Sequence, residues 1–228
     1  GKRPMNTDFS VQRANMVEGQ LRTTDVTNTP LLQAMGEIPR EAFVPSRKKA
    51  LAYIDEDLEI SSATGDAPAR YLMEPSPFGK LIQLAEVQPS DVVLDIGTGS
   101  GYSAAVLSRL ASFVVALECD ENLAQSATET LSTLGAVNVA VVGGKLAEGY
   151  KDDAPYDVIF IGGAVDEVPA VLFDQLREGG RLVAVIGEGN AARAHVFVKD
   201  EGIVSGRPVF NVAVKPLPGF RREAEFVF

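Results

Sequence analysis

The chain has one cysteine, one histidine and no tryptophan in 228 residues. A single thiol, Cys119, excludes an internal disulfide and any cysteine-cluster metal site. With no second histidine, histidine–metal sites and Ser–His arrangements lack support, and no metal is expected. His195 itself falls in an apolar run with Ala194, Val196 and Phe197, which predicts a packed or edge side chain. No apolar stretch approaches the roughly 18 residues a membrane span needs, so no membrane partner is expected. No apolar signal-peptide core is visible in the first residues, and with so little cysteine the default expectation is cytoplasmic. Basic residues are also short: 21 against 31 acidic, a formal net charge of −10. That balance argues against a nucleic-acid partner, whose binding depends on neutralising phosphates. The largest basic cluster, Arg47, Lys48 and Lys49, predicts a helix face rather than a phosphate site.

What is present is concentrated between Asp91 and Gly101. Val92, Val93, Leu94 and Ile96 form a short apolar run rich in β-branched residues, which predicts a strand buried on both faces. Gly97, Gly99 and Gly101 follow, permitting a tight turn with positive φ and a close approach of backbone to a ligand. Tyr102, Val106 and Leu110 then recur at helical spacing, with Ala104 and Ala105 small enough to pack on a sheet. A dinucleotide fingerprint places glycine at the first, third and sixth positions. Counted from Gly97, the sixth position is Tyr102 and the third glycine comes early, at Gly101. This compressed bend suits a nucleotide-type ligand without a pyrophosphate and opposes an NAD-type oxidoreductase. Asp95 is placed at the carboxyl end of the strand, where it can accept hydrogen bonds from an ammonium or from loop amides. A second apolar run, Phe113–Leu117, ends at Glu118, 21 residues beyond Gly97. That is near the separation of about 20 expected for a carboxylate that grips ribose hydroxyls. The reading requires an open pocket over the bend.

Along the rest of the chain, periodicity predicts a helix over Asp8–Arg22, and a second starting at Thr29 as cap with Pro30 in its first turn. Short helical turns follow around Pro39 and Pro45. Ser61–Arg70 is small, polar and rich in turn residues, hence a loop, and Pro75 starts a helix through Leu84. After Glu118 the pattern gives a helix over Glu121–Leu134 closed by Gly135, strands at Val137–Val142 and Tyr156–Ile161, a helix at Val168–Leu176 and a strand at Arg181–Ile186. Ala194–Val198 and Val209–Val214 predict a closing antiparallel pair. The fold class is therefore α/β, a Rossmann-like doubly wound sheet with an N-terminal helical extension. Residues 1–80 form the helical lead-in with a substrate-side loop, and residues 81–228 the cofactor-binding domain.

Asp95, Gly97, Thr98, Gly99, Ser100, Gly101 and Tyr102, together with Glu118, resemble the cofactor site of class I S-adenosylmethionine (SAM) methyltransferases. Within that class, Met16–Arg22, Ile38–Pro45, Ala154–Ile159 and Gln175–Val183 resemble the protein-L-isoaspartate O-methyltransferases over nearly the whole chain. The Ile38–Pro45 block is specific to that family. The resemblance implies a seven-stranded, mainly parallel sheet, SAM as cofactor, and methylation of a carboxylate on a damaged protein or peptide. It assigns cofactor binding to Asp95, Gly97, Thr98, Gly99, Ser100, Gly101, Glu118 and Gly144, and the substrate loop to Tyr71, Leu72, Met73 and Glu74. It assigns no catalytic residue.

Two departures from the family pattern stand out. Aligned on Pro75, the family's Thr-Ile-Ser motif becomes Tyr71, Leu72 and Met73, and a thioether cannot donate the serine's hydrogen bond. The family's Gly-Asp-Gly, whose aspartate accepts from the adenine amine, becomes Gly143, Gly144 and Lys145. A hydrogen bond to a charged group contributes about 1.5–3 kcal/mol, so its loss is expected to weaken cofactor binding about 10- to 100-fold. An alternative follows: a divergent relative with little isoaspartyl activity, acting as a SAM-binding or protein-interaction module. Met73 is expected to pack beneath the loop rather than touch substrate.

Overall fold

The computed structural model describes residues 8–221. Its centre is a seven-stranded sheet of order β5-β4-β3-β6-β7-β8-β9. The strands are β3 (Val92–Ile96), β4 (Phe113–Glu118), β5 (Val139–Gly143), β6 (Tyr156–Val165), β7 (Leu176–Ile186), β8 (Arg193–Asp200) and β9 (Ile203–Asn211). The first five run parallel, and β8 and β9 close the sheet antiparallel. A separate antiparallel hairpin pairs β1 (Leu58–Ser61) with β2 (Arg70–Leu72). Helices α1 (Phe9–Met16), α2 (Thr29–Glu37), α3 (Pro75–Leu84), α4 (Tyr102–Ser108), α5 (Glu121–Thr133) and α6 (Ala170–Asp174) complete the chain.

Strand alternation divides the core into two layers. Val93, Val114, Ala116, Val158 and Phe160 face one side, where they join Met16, Leu21, Met35, Phe43, Phe78 and Tyr102 in one cluster. Leu94, Ile96, Val115, Leu117, Ile159 and Ile161 face the other, with Leu146, Leu172, Leu217 and Phe220. Each fully buried aliphatic side chain contributes about 1.5–3 kcal/mol relative to exposure. The N-terminal helices thus share one apolar layer with the central strands. The outer ends of the two expected segments, residues 1–7 and 222–228, lie outside the described residues.

Several boundaries differ from the sequence reading. The first helix ends at Met16 and passes through a π turn, Val17–Leu21, that contains Gly19. The cap of α2 is Asn28, not Thr29: its side chain accepts from the Leu31 N–H at 3.0 Å, and Thr29 is already helical. The expected helix at Val168–Leu176 shortens to α6. β6 does not stop at Ile161 but continues through Gly162 and Gly163 to Val165, with a register shift against β7 between Phe160 and Ala164. The glycines make that continuation possible, because a Cβ on Gly163 would lie 2.6 Å from Leu217 Cγ. The loop between Ser61 and Arg70 is flanked by β1 and β2, a hairpin too short for its pattern to be read from sequence. His195 lies half-buried on β8, its Nδ1 3.0 Å from the Arg193 carbonyl oxygen and its ring stacked near Phe197. The triplet Arg47–Lys49 falls in a short 3-10 turn, with Lys48 Nζ donating to the Glu59 carbonyl. Among the described residues no helix is long and apolar enough to cross a membrane, and no cluster of ligating side chains could hold a metal ion.

Candidate active site

The chain order reverses at β3, which has β4 on one side and β6 on the other, so the crevice above their carboxyl ends is the switch point of the sheet. The bend after β3 lies there. Gly97, Gly99 and Gly101 have φ of 79°, 61° and 102°, the left-handed region that only glycine enters without strain. The Gly97 and Thr98 amides donate to the Leu117 carbonyl, which ties the bend to β4.

Asp95 is fully buried beneath this bend. Its Oδ2 accepts from Ser103 Oγ at 2.7 Å, whereas Oδ1 has no donor. Burial pushes the carboxyl up to about 6; the Ser103 and Thr98 hydroxyls offset part of that, and the Glu118 charge adds to it. A buried carboxylate oxygen with no protein donor, at the end of a strand, can accept from an N–H or O–H of a ligand. Ser100 Oγ and the Tyr102 hydroxyl are likewise buried and unpartnered.

Glu118 ends β4, as the spacing places it, but its carboxylate is already satisfied. Arg70 donates to it through Nη2 at 2.6 Å and Nη1 at 2.8 Å. The Gly99 and Asp120 amides add bonds of 2.9 and 2.8 Å. Both side chains are out of solvent, at 7% and 0% exposure. The pair comes from β2 and β4, so it fastens the hairpin onto the sheet. Sequence reading passed over Arg70 as the last residue of a loop. The available signal was its alternation with Leu72: both are buried while Tyr71 between them is half-exposed, and a charge at an inward strand position requires a partner.

The expected open pocket over the bend is filled by the protein's own side chains. Ile60 of β1 lies 3.1 Å from where a Cβ on Gly99 would be, and Leu217 stands 2.8 Å from the same point on Gly97. Leu217 is held by backbone bonds: its N–H donates to the Ala164 carbonyl, and the Ala164 N–H donates to that of Lys215. The cavities left beside Gly97, Thr98 and Met73 are about 20 and 30 Å³, against the 300–1,000 Å³ typical of a small-molecule site. A roomier cleft of about 390 Å³ opens next to them, between the loop at Ala63–Pro68, the ends of β6 and β7, and Pro216–Arg221. Leu217 separates the two.

The remaining expected site residues are placed as follows. Gly144 follows β5, and its N–H donates to the Glu118 carbonyl at 3.3 Å. Tyr71, Leu72 and Met73 line the small cavities; Met73 is buried, and its carbonyl accepts from Arg40 Nη2 at 2.8 Å. Arg40, wholly buried, also donates to the Ala52 carbonyl at 2.7 Å and lies over the Tyr102 ring. Glu74 precedes α3, its N–H bonded to Asp57, and burial together with Asp55, Asp57 and Glu56 raises its carboxyl to about 7. Lys215 stands over the Tyr71 ring.

A glycine bend at the switch point of a doubly wound sheet, with one orphaned carboxylate oxygen below it and a second acid at the next strand end, defines the Rossmann-like class that receives a nucleotide-type ligand. Comparison with known proteins narrows this. Residues 12–221 match the family model for protein-L-isoaspartate(D-aspartate) O-methyltransferase. A protein-L-isoaspartate O-methyltransferase of Koribacter versatilis is 36% identical over 216 residues, 95% of each chain. One from Methanoculleus marisnigri is 38% identical over 208 residues, 91% of this chain and 92% of that one. A solved protein-L-isoaspartate O-methyltransferase superposes with a TM-score of 0.77 at 28% identity, covering 91% of this chain and 66% of that one. A putative Plasmodium falciparum member, solved with S-adenosyl-L-homocysteine (SAH), shares the fold with a TM-score of 0.74 at 19% identity. The chain belongs to the protein-L-isoaspartate (D-aspartate) O-methyltransferase family.

Proposed function

We propose that the chain is a SAM-dependent carboxyl O-methyltransferase acting on a protein or peptide. The observation that carries this reading is the Asp95 oxygen left without a donor beneath a three-glycine bend, in a chain that belongs to this family. The residues fit the cofactor: Asp95 Oδ1 would accept from its ammonium, Glu118 from its ribose hydroxyls, and Gly97, Thr98, Gly99, Ser100, Gly101 and Gly144 would lie against it as backbone. The fit holds for the donor set but not for the space, because Arg70, Ile60 and Leu217 fill it.

When bound, SAM supplies a methyl group on a sulfonium that a carboxylate oxygen can take by displacement. The acceptor is ionised near pH 7, so the chain has no general base to supply. Its side chains contribute by aligning the reactants and excluding water. The cleft of about 390 Å³ beside Leu217 would take the acceptor, whereas Tyr71, Leu72 and Met73 line the smaller cavities next to it. A buried Met73 offers no donor to orient an isoaspartyl group, which favours low turnover on that substrate or a different carboxylate. The same three features, Met73, Gly144 and the occupied Glu118, favour the second reading of a SAM-binding module with little turnover. The negative net charge favours protein over nucleic acid as partner, and the scarcity of cysteine a cytoplasmic setting.

Calorimetry with SAM and SAH, followed by methyl transfer to isoaspartyl peptides, tests both. Binding with slow transfer is expected; no binding at millimolar cofactor overturns the proposal, and efficient transfer overturns the low-turnover reading.

A further inference from the structure

We propose that Arg70 sets the cofactor affinity of this chain by competing for the Glu118 carboxylate, so that a ligand bearing a ribose diol must exchange with it. The inference rests on the reading of the bend as a cofactor site. Its geometry is independent of that reading.

Glu118 accepts four hydrogen bonds, two from one guanidinium and two from backbone amides. Only the guanidinium can leave, since the Gly99 and Asp120 amides are fixed by the bend and by the start of α5. A diol offers two O–H donors in a similar side-by-side arrangement, and the two groups cannot hold the same oxygens together. Arg70 is also the hairpin's charged anchor on the sheet, beside the buried Leu58 and Leu72. Ile60, which fills the space above Gly99, lies on the paired strand, and the β1–β2 register carries Ser61 opposite Arg70. With Leu58 and Leu72 still packed in the core, exchange at Glu118 loosens the hairpin at Ile60 as well as releasing the carboxylate. Leu217 belongs to another segment, tied by backbone to Ala164, and is not released by the same event.

The consequence is a penalty on binding. If the form with Arg70 withdrawn is populated at a few per cent, apparent affinity falls by the inverse of that fraction, about 10- to 100-fold. Arg70→Gln keeps one amide donor for Glu118 but removes the charge and the fork.

The test is isothermal titration of the intact protein with SAH, for wild type, Arg70→Gln and Ile60→Ala, with amide hydrogen exchange of the β1–β2 hairpin read in the same samples. Arg70→Gln is expected to bind SAH at least 10-fold more tightly, and Ile60→Ala to bind more tightly by a smaller factor. In the wild type, SAH is expected to speed exchange at the hairpin amides while slowing it at Gly97–Gly101. The hydrogen-exchange readout needs no variant, so it carries the test if Arg70→Gln does not fold, and Ile60→Ala, which leaves the ion pair intact, measures the share due to the plug alone. Equal or weaker binding by the variants, with the wild type binding SAH, overturns the role of Arg70 and leaves the cofactor site standing. Absence of SAH binding by every form, at millimolar ligand, overturns the cofactor reading itself.

Discussion

At the scale of single residues, Asp95 is the most exposed to test. Its carboxyl is pushed up to about 6 by burial, whereas in the unfolded chain it titrates near 3.9. Between those values the folded protein keeps a proton that the unfolded chain has lost. Stability from this group therefore falls as pH rises from about 4 to about 6, and above that the folded state carries a buried anion. Asp95→Asn removes the anion and keeps an acceptor for Ser103. It is expected to raise the melting temperature of the unliganded protein at pH 7.5 and to leave it nearly unchanged at pH 4. It is also expected to weaken SAH binding about 10- to 100-fold, the equivalent of one hydrogen bond to a charged group. Equal shifts at both pH values in thermal melts, or unchanged calorimetric affinity, would contradict the assignment. Gly97→Ala tests the bend: φ of 79° costs a side chain about 1–2 kcal/mol, and the added methyl meets Leu217, so a fall of at least that size is expected in urea unfolding. The acids and glycines of this site were legible because each has a spacing requirement that few residues meet. Arg70, Ile60 and Leu217 were not, because what they touch is 48, 39 and 120 residues away in sequence and no local pattern encodes it.

At the scale of elements, the hairpin and the junction leading into α3 lie against the glycine bend. Met73 is buried, and Arg40 holds its carbonyl from below, donating also to Ala52. The backbone at Met73 is thereby fixed. Met73→Ser places a hydroxyl where the sequence reading expects one for substrate, and removes a buried side chain. A cost of about 2–5 kcal/mol is expected from the second effect, as for other large-to-small core changes. The first is expected to raise turnover on isoaspartyl peptides above the wild-type level. Denaturant midpoints and methyl transfer rates, measured on the same preparation, separate the two effects; unchanged turnover in a folded variant would show that the missing hydroxyl is not the limitation. The longer periodic helices α3 and α5, and the continuous apolar runs of β3 to β5, were readable within a few residues. The hairpin strands, four and three residues long, and the five-residue α6 were not, since pattern needs length. β6 ran past its predicted end because glycines, read as a stop, here admit the neighbouring chain at Leu217.

At the scale of the molecule, the two apolar layers meet at the same central strands, so the carboxyl edge of β3, β4 and β6 is supported from both sides. The hairpin is fastened to this edge by the Arg70–Glu118 ion pair and by Leu58 and Leu72, which are buried in the core. A ligand that binds only the folded state stabilises it by about 2.7 kcal/mol at 100 times its Kd. For a chain of this size each kcal/mol moves the melting temperature by about 2–4 °C. Saturating SAH is therefore expected to raise it by about 5–10 °C, in a concentration-dependent way, while NAD at the same concentrations leaves it unchanged because Tyr102 stands where the dinucleotide fingerprint has the glycine that packs its helix closely on the strand. The shift counts binding net of the hairpin's release, so at a fixed, limiting SAH concentration it should be larger for Arg70→Gln than for the wild type even if that variant melts lower without ligand. A shift with NAD equal to that with SAH would move the site back to the dinucleotide class, and a shift with neither would leave the glycine bend as a turn that only joins β3 to α4.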